Sequence, residues 1–133
     1  MLGVDTNVLV RFLADDDQVQ SGQARIVFAQ AANQPIYLSM LVLAEAFTVM
    51  TKVKKFPAKA VLDSYRLLLR SPQVRVERPD MVGAAIEDAG RTLAGFPDAL
   101  IALQNAEAGC GITATFDVRA TRLEFMSAAK EYL

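Results

Sequence analysis

Met1-Leu2-Gly3-Val4-Asp5-Thr6-Asn7-Val8-Leu9-Val10-Arg11-Phe12-Leu13 is an apolar stretch interrupted near its start by one carboxylate and one amide, and its reading decides the fold. Val4, Val8, Leu9, Val10 and Phe12 suit a strand buried on both faces that runs into a helix, which places Asp5 and Asn7 where the strand ends. In an open α/β sheet the carboxyl ends of the strands form the ligand crevice, and an acid there meets a cation, a phosphate or a proton. A plainer role is also open to Asp5: capping the helix that follows, or closing an Asx-turn.

Outward from this stretch, strand and helix signals alternate. Asp15-Asp16-Asp17 reads as a turn, with Asp17 as N-cap and Gln20 in a capping-box relation, and its acids as solvated turn residues rather than a metal site. The helix continues to about Ala32. Ile36-Tyr37-Leu38 is a short strand and Ser39 caps the next helix, Met40 to Met50, in which Glu45 is the one carboxylate of an otherwise apolar run. A helix apolar all round is buried, so Glu45 needs a partner there, unless it sits at the edge and reaches solvent. Lys52, Lys54, Lys55 and Lys59 surround Phe56-Pro57, where one helix gives way to another that Pro72 stops. On that helix Ala60, Val61, Ser64, Tyr65 and Leu68 share a face.

Val74-Arg75-Val76 is a strand, and Pro79-Asp80 opens a helix with a core stripe of Val82, Ala85, Ile86, Ala89 and Leu93, closed by Gly95. Phe96-Pro97-Asp98 begins another helix, ended by Gly109; Asp98 in its first turn is favoured by the helix dipole whatever else it does. Ile112-Thr113-Ala114-Thr115 is a strand, Asp117 lies just past its end with Thr115 nearby, and Phe125-Met126-Ser127-Ala128 reads as an edge strand. Strands alternating with helices imply right-handed crossovers, hence a three-layer α/β/α sandwich around a mainly parallel central sheet. At 133 residues the expectation is a single domain spanning 1–133.

Composition narrows the chemistry. No apolar run approaches the roughly 18 residues of a membrane span and the start has no signal-type cleavage pattern, so the expected compartment is the cytoplasm, with no membrane partner. One cysteine, Cys110, supplies neither a disulfide framework nor a multi-cysteine zinc site. The chain contains no histidine, which removes histidine acid-base catalysis, the Ser-His-Asp and Cys-His nucleophile systems and imidazole metal sites. Fourteen basic residues against fifteen acidic ones leave no global field for nucleic acid, so such a substrate must be held locally or through metal.

Four acids, Asp5, Glu45, Asp98 and Asp117, fall at strand ends and near helix starts, where the topology lets them face one crevice. Converging carboxylates repel one another unless a cation is present, and hard oxygen donors suit Mg²⁺ or Mn²⁺. One or two such ions orient and deprotonate a water, clamp a phosphodiester and stabilise the leaving oxygen. Asp5 and Asp98 are the best direct ligands, Glu45 and Asp117 hold the same or a second ion or position the water, and Asn7 and Thr115 support them by hydrogen bonding.

Val4-Asp5-Thr6-Asn7 at the first strand, the lone Glu45, Pro97-Asp98-Ala99-Leu100-Ile101-Ala102 and Thr115-Phe116-Asp117, in that order over nearly the whole chain, resemble the PIN-domain ribonucleases, and among them the VapC toxins of bacterial and archaeal toxin-antitoxin pairs. The resemblance implies Mg²⁺- or Mn²⁺-dependent cleavage of RNA, single-stranded by preference, a homodimer, and a cognate antitoxin that blocks the active site. It carries the family's acidic quartet onto Asp5, Glu45, Asp98 and Asp117, its supporting Asn onto Asn7 and its late hydroxyl onto Thr115. A ribonuclease-H-like nuclease would open with antiparallel strands, and a phosphate-accepting receiver would need paired acids at the first strand end; neither pattern is present. A non-catalytic PIN-like module, binding protein or RNA, would be expected to have lost one or more of the acids, and all four are here.

Overall fold

A computed structural model describes residues 1–132, and the chain divides between Pro79 and Asp80 into two compact units. In the first, β1 (Leu2–Gly3) leads through Asp5 into α1 (Thr6–Ala14), followed by α2 (Gln18–Ala29), which tightens into a 3₁₀ turn at Gln30–Ala32. Then come β2 (Ile36–Leu38), α3 (Met40–Thr48) with a π-helical extension over Val49–Val53, α4 (Ala58–Arg70) and β3 (Val74–Val76). The three strands pair in parallel in the order β1-β2-β3, Leu2 opposite Ile36 and Ile36 opposite Val74. All three carboxyl ends therefore lie on one edge, from which α1 and α3 depart. The first strand is shorter than its apolar run suggests: Val8, Leu9, Val10 and Phe12 are helical, because Asp5 starts the helix as soon as the chain leaves the sheet.

The core of this unit follows from its apolar stripes. Leu9 and Val10 of α1, Ile36 and Leu38 of β2, Leu43, Ala46 and Phe47 of α3, and Val61, Leu62, Tyr65 and Leu68 of α4 are all buried, whereas Ala60 faces out. Phe12 stacks on Phe28 with ring centroids 3.9 Å apart and planes 8° from parallel, joining α1 to α2. Tyr65 is buried on α4 and its hydroxyl donates to the Leu43 carbonyl at 2.7 Å, tying α4 to α3 across 22 residues. Burial pushes that phenol's pKa upward, so it stays a neutral donor.

The acidic turn is used up structurally. Asp17 caps α2, its side chain accepting from the Val19 and Gln20 amides, while its own amide donates to Ser21 Oγ rather than to the Gln20 side chain. Gln20 is occupied elsewhere, because Arg11 Nε donates to its Oε1 at 2.9 Å. Asp16 bridges Arg11 at 3.1 Å and Lys54 at 2.7 Å, and Asp15, in a left-handed conformation (φ 51°), pairs with Arg25.

In the second unit α5 (Pro79–Thr92) buries Met81, Val82, Ala85, Ile86 and Ala89, and α6 (Phe96–Glu107) buries Phe96, Ala99, Leu100 and Ala102. The helix break falls earlier than Gly95: Leu93 turns left-handed (φ 64°) and is 67% exposed, so it leaves the expected core stripe, and Gly95 becomes the N-cap of α6. The buried Thr92 closes α5, donating to the Asp88 carbonyl and accepting from the Ala94 amide, while Arg122 donates to the Thr92 carbonyl at 3.2 Å. β4 (Thr113–Thr115) pairs in parallel with β5 (Met126–Ala128), so the late edge strand forms as expected. Short 3₁₀ turns lie at Ala120–Arg122 and Ala129–Tyr132. Every strand pairing among the described residues is parallel, as an α/β fold of this class requires. No helix among them is long and apolar enough to cross a membrane.

Two consequences follow for stability. Tyr65→Phe deletes a buried hydrogen bond without opening a cavity and is expected to cost about 1 kcal/mol, whereas Tyr65→Ala costs roughly 3–5 kcal/mol; urea titration of the three proteins checks both. Hydrogen bonding from Lys54, aided by Arg11, holds the Asp16 carboxyl below its ordinary pKa of 3.8. A carboxylate depressed by folding stabilises the fold fully above its unfolded pKa, and that contribution is lost as pH falls through the lower folded value. Acid unfolding of wild type should therefore show a loss below about pH 4 that Asp16→Asn lacks and that added salt diminishes.

Candidate active site

Asp5 stands two residues beyond the end of β1, at the carboxyl edge of the first sheet, in extended backbone (φ −91°, ψ 179°). Its Oδ1 accepts from the Val8 amide at 3.0 Å, and its backbone carbonyl accepts the first helical bond from Leu9. It is thus the N-cap of α1, and the positive end of that helix faces a negative side chain. Among the described residues no hydrogen bond engages Oδ2, so the cap leaves one oxygen of this exposed carboxylate available.

Glu45 lies in the second turn of α3, and the structure corrects its expected environment. It is exposed, on a stripe with Leu41 and Thr48 that faces away from the core side formed by Leu43, Ala46 and Phe47. Thr6 Oγ1 donates to Glu45 Oε2 at 2.7 Å, which leaves Oε1 unengaged. Thr6 is the residue immediately after Asp5, so α1 carries at its first turn both an acid and the hydroxyl that orients a second acid 39 residues away. The threonine in Asp5-Thr6-Asn7 was the only local signal of this contact, and no spacing rule links it to position 45.

Two side chains at the same edge hold α3 in place. Ser39 Oγ accepts from the Val42 amide at 3.1 Å, as expected of the cap, and Glu77, just past β3, accepts from the Met40 amide at 2.9 Å. Glu77 is a further acid at the carboxyl edge, used here to satisfy a helix N-terminus.

A pocket of about 320 Å³ opens beside Asp5, lined by Asn7, Val8 and Arg11 of α1 and by Gln20, Gln23, Ala24 and Val27 of α2. Asn7 is exposed there and hydrogen-bonds nothing among the described residues. Arg11 lies in the pocket wall and is held by Asp16 and Gln20.

In the second unit Asp98 is the third residue of α6, half-buried within its first turn, where the helix dipole favours a carboxylate. Asp117 follows β4 and is exposed; its Oδ1 accepts from the Arg119 amide at 2.8 Å and the Ala120 amide at 3.2 Å, capping the 3₁₀ turn and leaving Oδ2 unengaged. Thr115 Oγ1 accepts from the Asp117 amide at 3.0 Å, so this hydroxyl holds the loop that carries the acid. Asn105 of α6 donates to Thr113 Oγ1 of β4 at 3.0 Å, joining the helix that bears Asp98 to the strand that precedes Asp117.

Asp5, Glu45 and Asp117 each have one oxygen pinned by backbone amides or a hydroxyl and the other unengaged among the described residues, and each is, taken singly, an oxygen donor of the kind that Mg²⁺ and Mn²⁺ take. Asp5 and Glu45 belong to the first unit, Asp98 and Asp117 to the second. Among the described residues no group of three or more acidic or cysteine side chains stands at metal-binding spacing.

In comparison with known proteins, the family model described as the PIN domain matches residues 3–126, a span that includes all four carboxylates and the strands and helices that carry them. No curated protein matches the chain.

Cap and ligand uses of Asp5 are separable by substitution. Asn caps as well as Asp, so Asp5→Asn should leave the unfolding midpoint nearly unchanged, whereas Asp5→Ala should cost about 1 kcal/mol, as read by urea or thermal unfolding.

Proposed function

Because the chain belongs to the PIN domain family, whose members are typically nucleases, we propose that it is a metal-dependent ribonuclease, with Asp5, Glu45, Asp98 and Asp117 as the residues that hold Mg²⁺ or Mn²⁺. The observation that carries this reading is the half-committed carboxylate. Asp5, Glu45 and Asp117 each spend one oxygen on fixed local donors and keep the other unengaged among the described residues, and Asp98, onto which the resemblance carries the remaining acid of the quartet, lies in the first turn of α6.

When bound, the ion would supply Lewis acidity, lowering the pKa of a water and neutralising charge on the phosphodiester. The chain's own residues do the rest by position. The α1 amide that anchors Asp5 prevents its carboxylate from rotating, and the Thr6 hydroxyl does the same for Glu45. Thr115 and the Arg119 and Ala120 amides fix the loop and carboxylate of Asp117. Pre-oriented acids lose little entropy when a cation and substrate arrive, which is the main protein contribution in phosphoryl chemistry. Without histidine, proton transfer at the attacking water falls to a carboxylate, and Glu45, oriented but not buried, suits that role. Asn7 and Thr115 act in support, Asn7 from the pocket beside Asp5.

The same reading makes the chain the toxin of a type II toxin-antitoxin pair, acting on single-stranded RNA in the cytoplasm and restrained by a cognate antitoxin. The order and spacing of the motifs around the four acids support this assignment. A homodimer belongs to the reading too, supported by Leu41, Val53 and Leu67 of the first unit, which are 67%, 67% and 63% exposed.

The test is cleavage of an end-labelled mixed RNA pool with Mg²⁺, with Mn²⁺ and with a chelator. Wild type should cut with either ion and not with the chelator, and Asp5→Asn and Asp98→Asn should each lower the rate by at least about 100-fold, the size typical of losing a catalytic group. Equal inertness of wild type and variants, with no divalent ion bound by wild type, would instead make the domain an interaction module.

A further inference from the structure

Apart from Asp5 and Asn7, the pocket has a lining that catalysis does not require. Its floor is apolar, from Val8, Ala24 and Val27, and its rim carries three carboxamides, Asn7, Gln20 and Gln23, with Arg11 in the wall. At about 320 Å³ it lies at the small end of the roughly 300–1,000 Å³ range of small-ligand sites. An apolar floor with amides around it matches a heterocycle, which has apolar faces and a hydrogen-bonding edge.

The rim is also pre-set. Lys54 and Arg11 both bind Asp16, at 2.7 and 3.1 Å, so Asp16 fixes the guanidinium. Arg11 Nε, which can only donate, then donates to Gln20 at 2.9 Å, and that side of the carboxamide must be its oxygen. The Gln20 NH₂ is thereby turned away from Arg11 as a donor without a partner among the described residues. Gln23 and Asn7 likewise hydrogen-bond nothing among the described residues, and each offers both a donor and an acceptor.

From this arrangement we infer that the α1–α2 pocket holds a nucleobase of the RNA next to the cleaved phosphate, with Gln20 and Gln23 as the residues that select it. The inference rests on the ribonuclease reading, because it is Asp5, in the same pocket wall, that brings the base beside the reacting phosphate. Single-stranded RNA exposes base edges that carboxamides read in pairs, and a site built to hydrogen-bond one edge rejects bases that leave its groups unpaired.

The experiment sequences the ends left by cleavage of a randomised single-stranded RNA pool in Mg²⁺, for wild type, Gln20→Glu, Gln23→Ala and, as a control outside the pocket, Gln30→Ala. Gln20→Glu keeps an oxygen for Arg11 and removes the NH₂ donor, so a merely structural role would survive it. Wild type should show a base preference at one position flanking the cut. Gln20→Glu and Gln23→Ala should lower the ratio of best to worst base there by roughly tenfold, or invert it, and Gln30→Ala should leave it intact. Cutting with no preference by wild type, or with a preference unchanged in both pocket variants, overturns the inference while leaving the nuclease standing, and in the second case leaves the pocket to a protein partner. If wild type cuts no RNA with either ion, the ribonuclease reading falls and this one with it.

Discussion

A helix that starts directly off a sheet edge presents amides with no intrahelical partner, and Asp5 is the group that satisfies one of them. Much of the first unit depends on that bond. It ends β1 after two residues, turns Val8 through Phe12 into helix, and sends Leu9 and Val10 into the core and Phe12 onto Phe28. It also fixes where the carboxylate sits, since the side chain is held between the strand's last residue and the helix's first turn. Capping and ligation therefore do not compete at this position. The cap uses Oδ1, and the other oxygen remains for a cation.

The same economy recurs. Asp117 caps a 3₁₀ turn through Oδ1, and Glu45 takes the Thr6 hydroxyl through Oε2. An acid anchored through one oxygen by neutral donors keeps its direction and its charge, which is what a carboxylate meant for a hard cation requires. Two acids of the turn before α2 behave differently. Asp15 and Asp16 are each matched with cations, whereas Asp17 caps α2 through Oδ1 alone, as Asp117 caps its turn. Charge neutralised by Lys or Arg has little left to offer a metal, so cation partners set Asp15 and Asp16 apart from the candidate acids, while Asp17 differs from them only in its place in the chain.

Family membership and local geometry bear on different links of the argument. The PIN domain match spans residues 3–126 and accounts for the parallel strands and the helices that leave their carboxyl ends. It does not account for the chain from Lys54 through Asp16 and Arg11 to Gln20, which no catalytic carboxylate needs and which orients one carboxamide of a pocket. Ion pairs this exposed contribute little to stability. Their consequence here is directional, since a donor-only nitrogen decides which end of Gln20 faces outward.

Elements governed by contacts within a few residues were legible from the sequence: β2 between Pro35 and Ser39, β3 after Pro72, the Asp17 and Ser39 caps, α4 after Pro57, and the end of α6 before Gly109, whose φ of 106° suits glycine. So was the parallel α/β class, because turn residues and hydrophobic period are properties of the chain itself. Where a local signal had two outcomes, tertiary structure chose. The apolar run after Asp5 could be strand or buried helix, and the cap made it helix; Ser21 rather than Gln20 completed the α2 cap, because Arg11 had claimed Gln20; Leu93 left the core stripe for a left-handed turn. The exposure of Glu45 and its bond to Thr6 were beyond any periodicity, since they depend on how α1 and α3 pack after leaving neighbouring strands, and a contact 39 residues apart is set by that register alone.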